Sequence, residues 1–198
     1  AILRGLVGSE MCIRDRLSSK LIKNENAISF TKAIQSQSER MATIVNELLS
    51  ISSMESGDYP ISLDKLNIKN IVDLAINELE PMTESGNIKL INKISDITHI
   101  IGDESAIKII ISNYITNAIK HSPNDETVEI DIEKTDKDFC RIRVIDNGNG
   151  IAKKYRERVF ERFFRVDKGR SKKIGGTGLG LSISKNLALM MGLSLIHI

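Results

Sequence analysis

Cysteine is nearly absent from this chain: Cys12 and Cys140 are the only two in 198 residues. They cannot build a disulfide framework and lack the spacing of a metal-ligand set, which suits a reducing compartment. Histidine is almost as scarce, with His99, His121 and His197 alone. Neither sign of charge dominates. The 28 Lys and Arg against 26 Asp and Glu leave a net +2, so electrostatics give no reason to expect a nucleic-acid or membrane-surface partner. No apolar run approaches the roughly 20 residues of a membrane-spanning helix. Internal repeats and low-complexity tracts are missing too. What remains, 41% hydrophobic and 27% charged residues, is the composition of a folded globular chain. The length allows one full domain plus part of a second, or one large domain.

The two ends read as foreign to the rest. A single short DNA string, taken in opposite orientations, can encode both Glu10–Arg16 and Leu193–Ile198. It resembles the transposon end used in sequencing-library preparation. On this reading residues 1–16 and 193–198 are set aside before fold reasoning, and the protein's own sequence runs from Leu17 to Gly192. Cys12 and His197 then carry no biological meaning, and the chain is a fragment.

Between those ends the rhythm changes once. From Asn26 to about Glu55, Ala27, Ile34, Met41 and Leu48 recur every seven residues, with Phe30, Ile44 and Ile51 as the companion series. This a/d seam predicts a long helix that packs on another helix. Gly57-Asp58-Tyr59-Pro60 ends it and marks a linker. Beyond, strands and helices alternate. Ile61–Leu63 reads as a short strand, and Ile68–Glu84 as a helix with Ile71, Leu74, Ala75 and Leu79 on its buried face. Ile88–Ile94 alternates like a strand. Asp103 caps a helix through Lys120 with a stripe of Ile107, Ile110, Ile111, Tyr114, Ile115 and Ala118. Val128–Ile132 and Phe139–Ile145 read as antiparallel neighbours around a Lys134–Asp138 turn, with Ile142 and Val144 inward. A last helix spans Leu181–Met191. The expected fold class is α+β, a two-layer α/β sandwich preceded by a long helix from a helical bundle.

Four motifs follow one another within that region. In Asn113-Tyr114-Ile115-Thr116-Asn117-Ala118-Ile119-Lys120-His121, the residues Asn113, Asn117, Lys120 and His121 share one helical face. Two amide oxygens and an ammonium there can hold a hydrated Mg²⁺ and phosphate oxygens. Asp146-Asn147-Gly148-Asn149-Gly150 follows a strand. A carboxylate at a strand end can accept a hydrogen bond from an exocyclic amine, and the glycines let a base approach the backbone. An EF-hand is excluded, because Gly148 and Gly150 stand where oxygen ligands are required and Ile151 replaces the glycine. Phe160-Glu161-Arg162-Phe163-Phe164-Arg165 places three of the chain's few aromatics before a Lys- and Arg-rich loop, Asp167–Ile174. Gly175-Gly176-Thr177-Gly178-Leu179-Gly180-Leu181-Ser182 opens a helix, and its backbone N–H groups suit a phosphate. No Lys follows the glycines, so it is not a P-loop. The G-x-G-x-G spacing without a parallel βαβ unit excludes the dinucleotide fingerprint.

In this order, the four resemble the N box, first glycine box, F box and second glycine box of bacterial sensor histidine kinases, whose ATP-binding domain has the Bergerat-type ATPase fold. The resemblance covers about Phe30 to Gly192. It implies ATP and Mg²⁺ as ligands, with Asn117 on the metal and Asn113 and Lys120 at phosphates or metal. It implies that Asp146 reads the adenine amine and that Gly148, Gly150 and Ile151 shape the base pocket. His121 stands where the family often has Tyr. Phe164 and Arg165 adjoin a lid from Asp167 to Gly178, which closes over the triphosphate. Gly176, Thr177, Gly178, Leu179, Gly180 and Leu181 receive phosphates and hinge that lid.

The resemblance also assigns residues 17–57 to the second helix of a dimerisation and phosphoacceptor domain, with Asn46-Glu47-Leu48-Leu49 and Met54-Glu55-Ser56-Gly57 as its matching stretches. Residues 60–192 form the ATP-binding catalytic domain. The family's phosphoacceptor is a His on the preceding helix, and no His occurs before His99. The chain therefore holds no catalytic acceptor and is expected to bind ATP without phosphorylating itself. The implied chemistry of the parent is transfer of the γ-phosphoryl to that His and on to an Asp of a response-regulator receiver domain. The implied parent is a homodimer through the bundle, with this portion cytoplasmic and any membrane anchor upstream. Two alternatives belong to other classes. A nucleotide-binding regulator or serine kinase of the same superfamily would lack the dimerisation helix. An ATP-independent dimerisation module would leave the four motifs without a purpose.

Overall fold

A computed structural model describes residues 25–95, 98–135, 139–166 and 176–195. The ends (1–24 and 196–198), most of the lid (167–175) and the tip of the Lys134–Asp138 turn lie outside the described residues. So do the side chain of Ala27 in the heptad seam and Gly175. The chain divides into two compact units, residues 1–49 and 50–198.

The first unit is described by helix α1 (Glu25–Ser56), most of which falls before residue 50. It contains no Gly or Pro, so nothing interrupts its hydrogen-bond ladder. Along it Phe30, Ile34, Met41, Val45 and Leu48 are exposed, so the apolar series stands at the surface of this helix.

The second unit begins with the last turns of α1, which end at Gly57 in the left-handed region (φ 79°). The N–H groups of Asp58 and Tyr59 both return to the Ser53 carbonyl, at 3.0 and 3.1 Å, and close the helix end. Then come β1 (Asp64–Asn67), α2 (Ile68–Thr83), β2 (Lys89–Asn92), β3 (His99–Gly102), α3 (Glu104–His121), β4 (Thr127–Lys134), β5 (Cys140–Ile145) and α4 (Gly180–Met190). The expected strand at Ile61–Leu63 is corrected: the strand lies at Asp64–Asn67, where pairing with β3 satisfies its backbone. Leu63 and Leu74, both apolar by pattern, are exposed.

Two sheets form. β1 and β3 pair antiparallel, and a second sheet has the order β2-β4-β5. β2 runs parallel to β4, and β4 antiparallel to β5. Helices α2 and α3 cover one face of the three-stranded sheet, which makes the α+β two-layer sandwich. Its core joins Ile68, Ile71, Val72 and Ala75 of α2 to Ile107, Ile111, Ile115 and Ala118 of α3 and to Val128 and Ile130 of β4. Ile142 and Val144 of β5 pack against it from the same face. The alternate residues of β4 and β5 point outward and pair across the strands. Arg143 reaches both carboxylate oxygens of Asp131, at 2.7 and 2.8 Å, and Glu133 at 3.2 Å. That side-chain bond is the main reason the Asp131 carboxyl titrates below its ordinary value. Exposed pairs of this kind add little stability and mainly fix register.

Asp103 sets where α3 begins. Its Oδ1 accepts the Ala106 N–H at 2.8 Å, and its Oδ2 accepts the Ser62 N–H at 2.9 Å. One carboxylate thus caps the helix and ties down the segment before β1. The Ser62 and Ala106 N–H groups, against a smaller opposing effect of burial, hold its pKa below the ordinary 3.8. A lowered carboxylate pKa adds stability that is complete above the unfolded value and fades as pH falls through the folded one. Asp103→Ala is expected to cost about 1–2 kcal/mol in urea unfolding near neutral pH. The gap between the two proteins should close as acid protonates Asp103. A gap that persists unchanged in acid would show that the carboxylate charge has no part in it.

Candidate nucleotide-binding site

The exposed side of α3 is the starting point. Asn113 and Asn117 lie two residues before and after Ile115, which is fully buried, so both amides stand on the side of the helix away from the core. Lys120 and His121 are in the last turn. Partial burial of the ring holds the His121 pKa below its ordinary value, with Lys120 and Arg165 acting the same way and Asp146 opposing them. The imidazole is therefore neutral at pH 7.

The segment after β5 closes against that helix end. Asp146 Oδ1 accepts the Gly148 N–H at 2.7 Å, a short Asx turn at the strand exit. A Cβ on Gly148 would sit 2.8 Å from the His121 carbonyl oxygen and 2.6 Å from Asp146 Oδ1, so only glycine fits. Asn147 Nδ2 donates to Glu126 Oε2 at 2.7 Å and moors the turn to the start of β4. Gly150 is left-handed (φ 64°), and the Ile151 carbonyl accepts from Arg156 Nε at 3.3 Å.

The aromatic segment is braced from two sides. Phe164 packs on Tyr155 with ring centroids 5.8 Å apart, and the Arg158 guanidinium lies 4.4 Å over the Phe164 ring. Val159 is buried, whereas Phe163 is exposed, so the three phenylalanines do not act as one anchor. Phe163 has a left-handed backbone (φ 59°), uncommon for a bulky residue. Its N–H donates to the Gly178 carbonyl at 2.9 Å. Gly178 is itself left-handed (φ 76°), and a Cβ there would meet the Phe163 backbone at 3.0 Å. Arg165 Nη1 donates to the Gly176 carbonyl at 3.0 Å. Both bonds tie the aromatic segment to the glycine-rich segment before α4. Arg162 pairs with Glu55 in the last turn of α1. A cleft of about 460 Å³ opens over Arg158, Phe164 and Arg165.

Gly176 completes the approach, since Lys120 Nζ lies 4.0 Å from where its Cβ would be. Thr177 Oγ1 accepts the Leu179 N–H at 3.2 Å. Leu179 is fully buried, and Leu181 lies in the first turn of α4. No side chain caps α4 and no acidic residue lies in its first turn, so its leading N–H groups and helix dipole face outward with a partial positive charge.

The structure thus brings together Lys120, His121, Asp146, Gly148, Arg165, Gly176 and the start of α4, with Asn113 and Asn117 along the same helix face. Gly150, Ile151 and Phe164 flank this group. Sequence reasoning missed Ser184, Glu126 and Arg158, which hold Asn113, Asn147 and Phe164. Each is an ordinary surface-type residue by pattern, and only its long-range partner distinguishes it.

For a divalent cation, the chemistry on offer is neutral amide oxygen. Among the described residues no cluster of three His, Cys, Asp or Glu side chains could hold a metal. Few hard oxygen donors from the protein, with water completing the shell, suit Mg²⁺ carried on phosphates and not a resident metal in an all-protein cage.

Residues 102–197 match the family described as histidine kinase-, DNA gyrase B-, and HSP90-like ATPase. The class is therefore that of an ATP-binding domain, laid out as the four motifs require. The chain is 34% identical over 186 residues to the sensor-like histidine kinase SenX3 of Mycolicibacterium smegmatis, covering 94% of this chain and 48% of that protein. The full-length crystal structure of ShkA in complex with AMPPNP covers 98% of this chain and 43% of its own, with a TM-score of 0.74 at 22% identity. The complex of histidine kinase ThkA with the response regulator protein TrrA covers 82% of this chain and 47% of its own, with a TM-score of 0.57 at 19% identity. Within the ATPase class, the chain carries the ATP-binding catalytic region of a sensor histidine kinase. It spans about half the length of SenX3. No helix among the described residues is long and apolar enough to cross a membrane.

Proposed function

We propose that this chain binds Mg-ATP between α3, the turn after β5 and the start of α4, and that the protein it represents passes the γ-phosphoryl group to a histidine. The observation that carries this reading is the meeting of Lys120, Gly148, Arg165 and Gly176 beside the uncapped N-terminus of α4. Asp146 uses one oxygen to hold the Gly148 turn and keeps the other for the adenine amine. Gly148, Gly150 and Ile151 border the base. Lys120, Arg165, and the N–H groups of Gly178, Gly180 and Leu181 neutralise the phosphates, with Gly176, Thr177 and Leu179 shaping that end. Asn117, with Asn113 beside it, holds the cation. Mg²⁺ when bound screens the phosphate charge and orients the γ-phosphoryl group.

The attacking imidazole nitrogen takes the γ-phosphoryl group and ADP leaves. The acceptor is not one of the histidines of this chain, since none precedes His99. The phosphoryl group then moves to an aspartate of a response-regulator receiver domain, a reading supported by the ThkA–TrrA likeness. Residues 17–57 belong to a dimerisation bundle and residues 60–192 to the catalytic domain, with foreign ends. Anchoring in a membrane belongs to segments outside this chain.

Asn117→Ala tests the site. In calorimetry the variant should bind ATP about tenfold or more weakly with Mg²⁺ present, and nearly as well as the unsubstituted chain without it. Equal affinity in both conditions would remove Asn117 from the metal.

A further inference from the structure

Ser184 has no exposed surface although it is polar, and the residue one turn before it, Gly180, begins α4. Three polar groups meet there. Asn113 Nδ2 lies 3.0 Å from the Gly180 carbonyl oxygen and 3.1 Å from Ser184 Oγ. Ser184 Oγ in turn lies 3.0 Å from the same carbonyl. Counting protons leaves one arrangement. The single hydroxyl hydrogen of Ser184 goes to the Gly180 carbonyl, so toward Asn113 the serine accepts. The two amide hydrogens of Asn113 go to Gly180 and Ser184. Flipping the amide would set its oxygen against the Gly180 carbonyl, two acceptors with no proton between them.

This arrangement has a chemical consequence for the proposed nucleotide site. With both amide hydrogens engaged inside the protein, Asn113 can present only Oδ1. A phosphate oxygen is also an acceptor and gains nothing from it. A divalent cation, or a water bound to one, does. Gly180 protects the same orientation, because a Cβ there would sit 3.0 Å from Asn113 Oδ1 and push the amide aside.

We infer that Ser184, through its contact with Asn113, is a positioning residue that commits the Asn113 amide oxygen to the metal side of the nucleotide site. The inference rests on the Mg-ATP reading above and resolves a choice, phosphate or metal, that spacing along α3 leaves open. Ser182 is a natural control. It is also buried in the first turn of α4 and donates to the Leu179 carbonyl at 2.7 Å, without touching Asn113.

The experiment is calorimetry of the whole chain with ADP, with and without Mg²⁺, read as the ratio of the two affinities. Ser184→Ala should cut the Mg²⁺ enhancement about three- to tenfold while leaving metal-free affinity nearly unchanged. Ser182→Ala should lower the melting temperature and keep the full enhancement. If Ser184→Ala does not fold, Ser184→Cys, of similar volume but a weaker acceptor, reads the same ratio. A full enhancement in the folded Ser184 variant, or an equal loss with and without Mg²⁺, would reduce Ser184 to packing and overturn the inference. Absence of any Mg²⁺ enhancement in the unsubstituted chain would instead overturn the site itself.

Discussion

Asp146→Asn should weaken ATP binding about ten- to a hundredfold, the cost of losing a hydrogen bond to a charged acceptor. The substitution separates two jobs done by one side chain. Asn keeps an oxygen for the Gly148 N–H, now at 2.7 Å, so the turn that presses on the His121 carbonyl survives. What changes is the group offered to the base. The carboxylate accepts from the 6-amino group of adenine, whereas the Asn amide can present a donor to the 6-oxo group of hypoxanthine. Calorimetry with ATP and ITP therefore distinguishes loss of recognition from loss of structure. ITP affinity should hold or rise while ATP affinity falls. An equal loss for both nucleotides would mean that Asp146 serves the turn alone.

Ile115→Ala should cost about 2–5 kcal/mol of unfolding free energy in urea. Ile115 is fully buried, in the cluster that joins α3 to α2 and to Val128 and Ile130 of β4. Removing three carbons there leaves a cavity directly beneath the helix that carries the amides. Ile115→Val, which deletes one carbon, should cost about 0.5–1.5 kcal/mol. Because Asn113 and Asn117 lie on the opposite side of α3, folded Ile115→Ala protein should bind nucleotide almost normally. A cost below that of Ile115→Val would place the core elsewhere.

The two substitutions mark the two faces of one helix, and those faces differ in how well the sequence exposes them. The apolar stripe of α3 is periodic, and Asp103 announces its start, so the helix and its buried side are readable from spacing alone. β4 and β5 are equally legible, since alternation puts Val128, Ile130, Ile142 and Val144 on one face. Glycines at left-handed or crowded positions, Gly148, Gly150 and Gly178 among them, are visible because few other residues serve there. The short strand before α2 was misplaced because three or four residues carry too little pattern. Its position is set by pairing with β3, a partner more than thirty residues away.

By itself, then, the sequence determined the α+β class, the order of elements and the four motifs, because each depends on neighbours within a few residues. It also determined that no histidine precedes His99, which bears on what this chain can phosphorylate. Only the tertiary structure decided which groups meet: the parallel pairing of β2 with β4, the Phe163–Gly178 backbone bond, and Ser184 against Asn113. These contacts span tens of residues, and hydrogen-bond direction depends on how many protons each partner has to give. Spacing can place an asparagine on the right face of a helix. Which end of its amide faces the ligand is settled by what lies behind it.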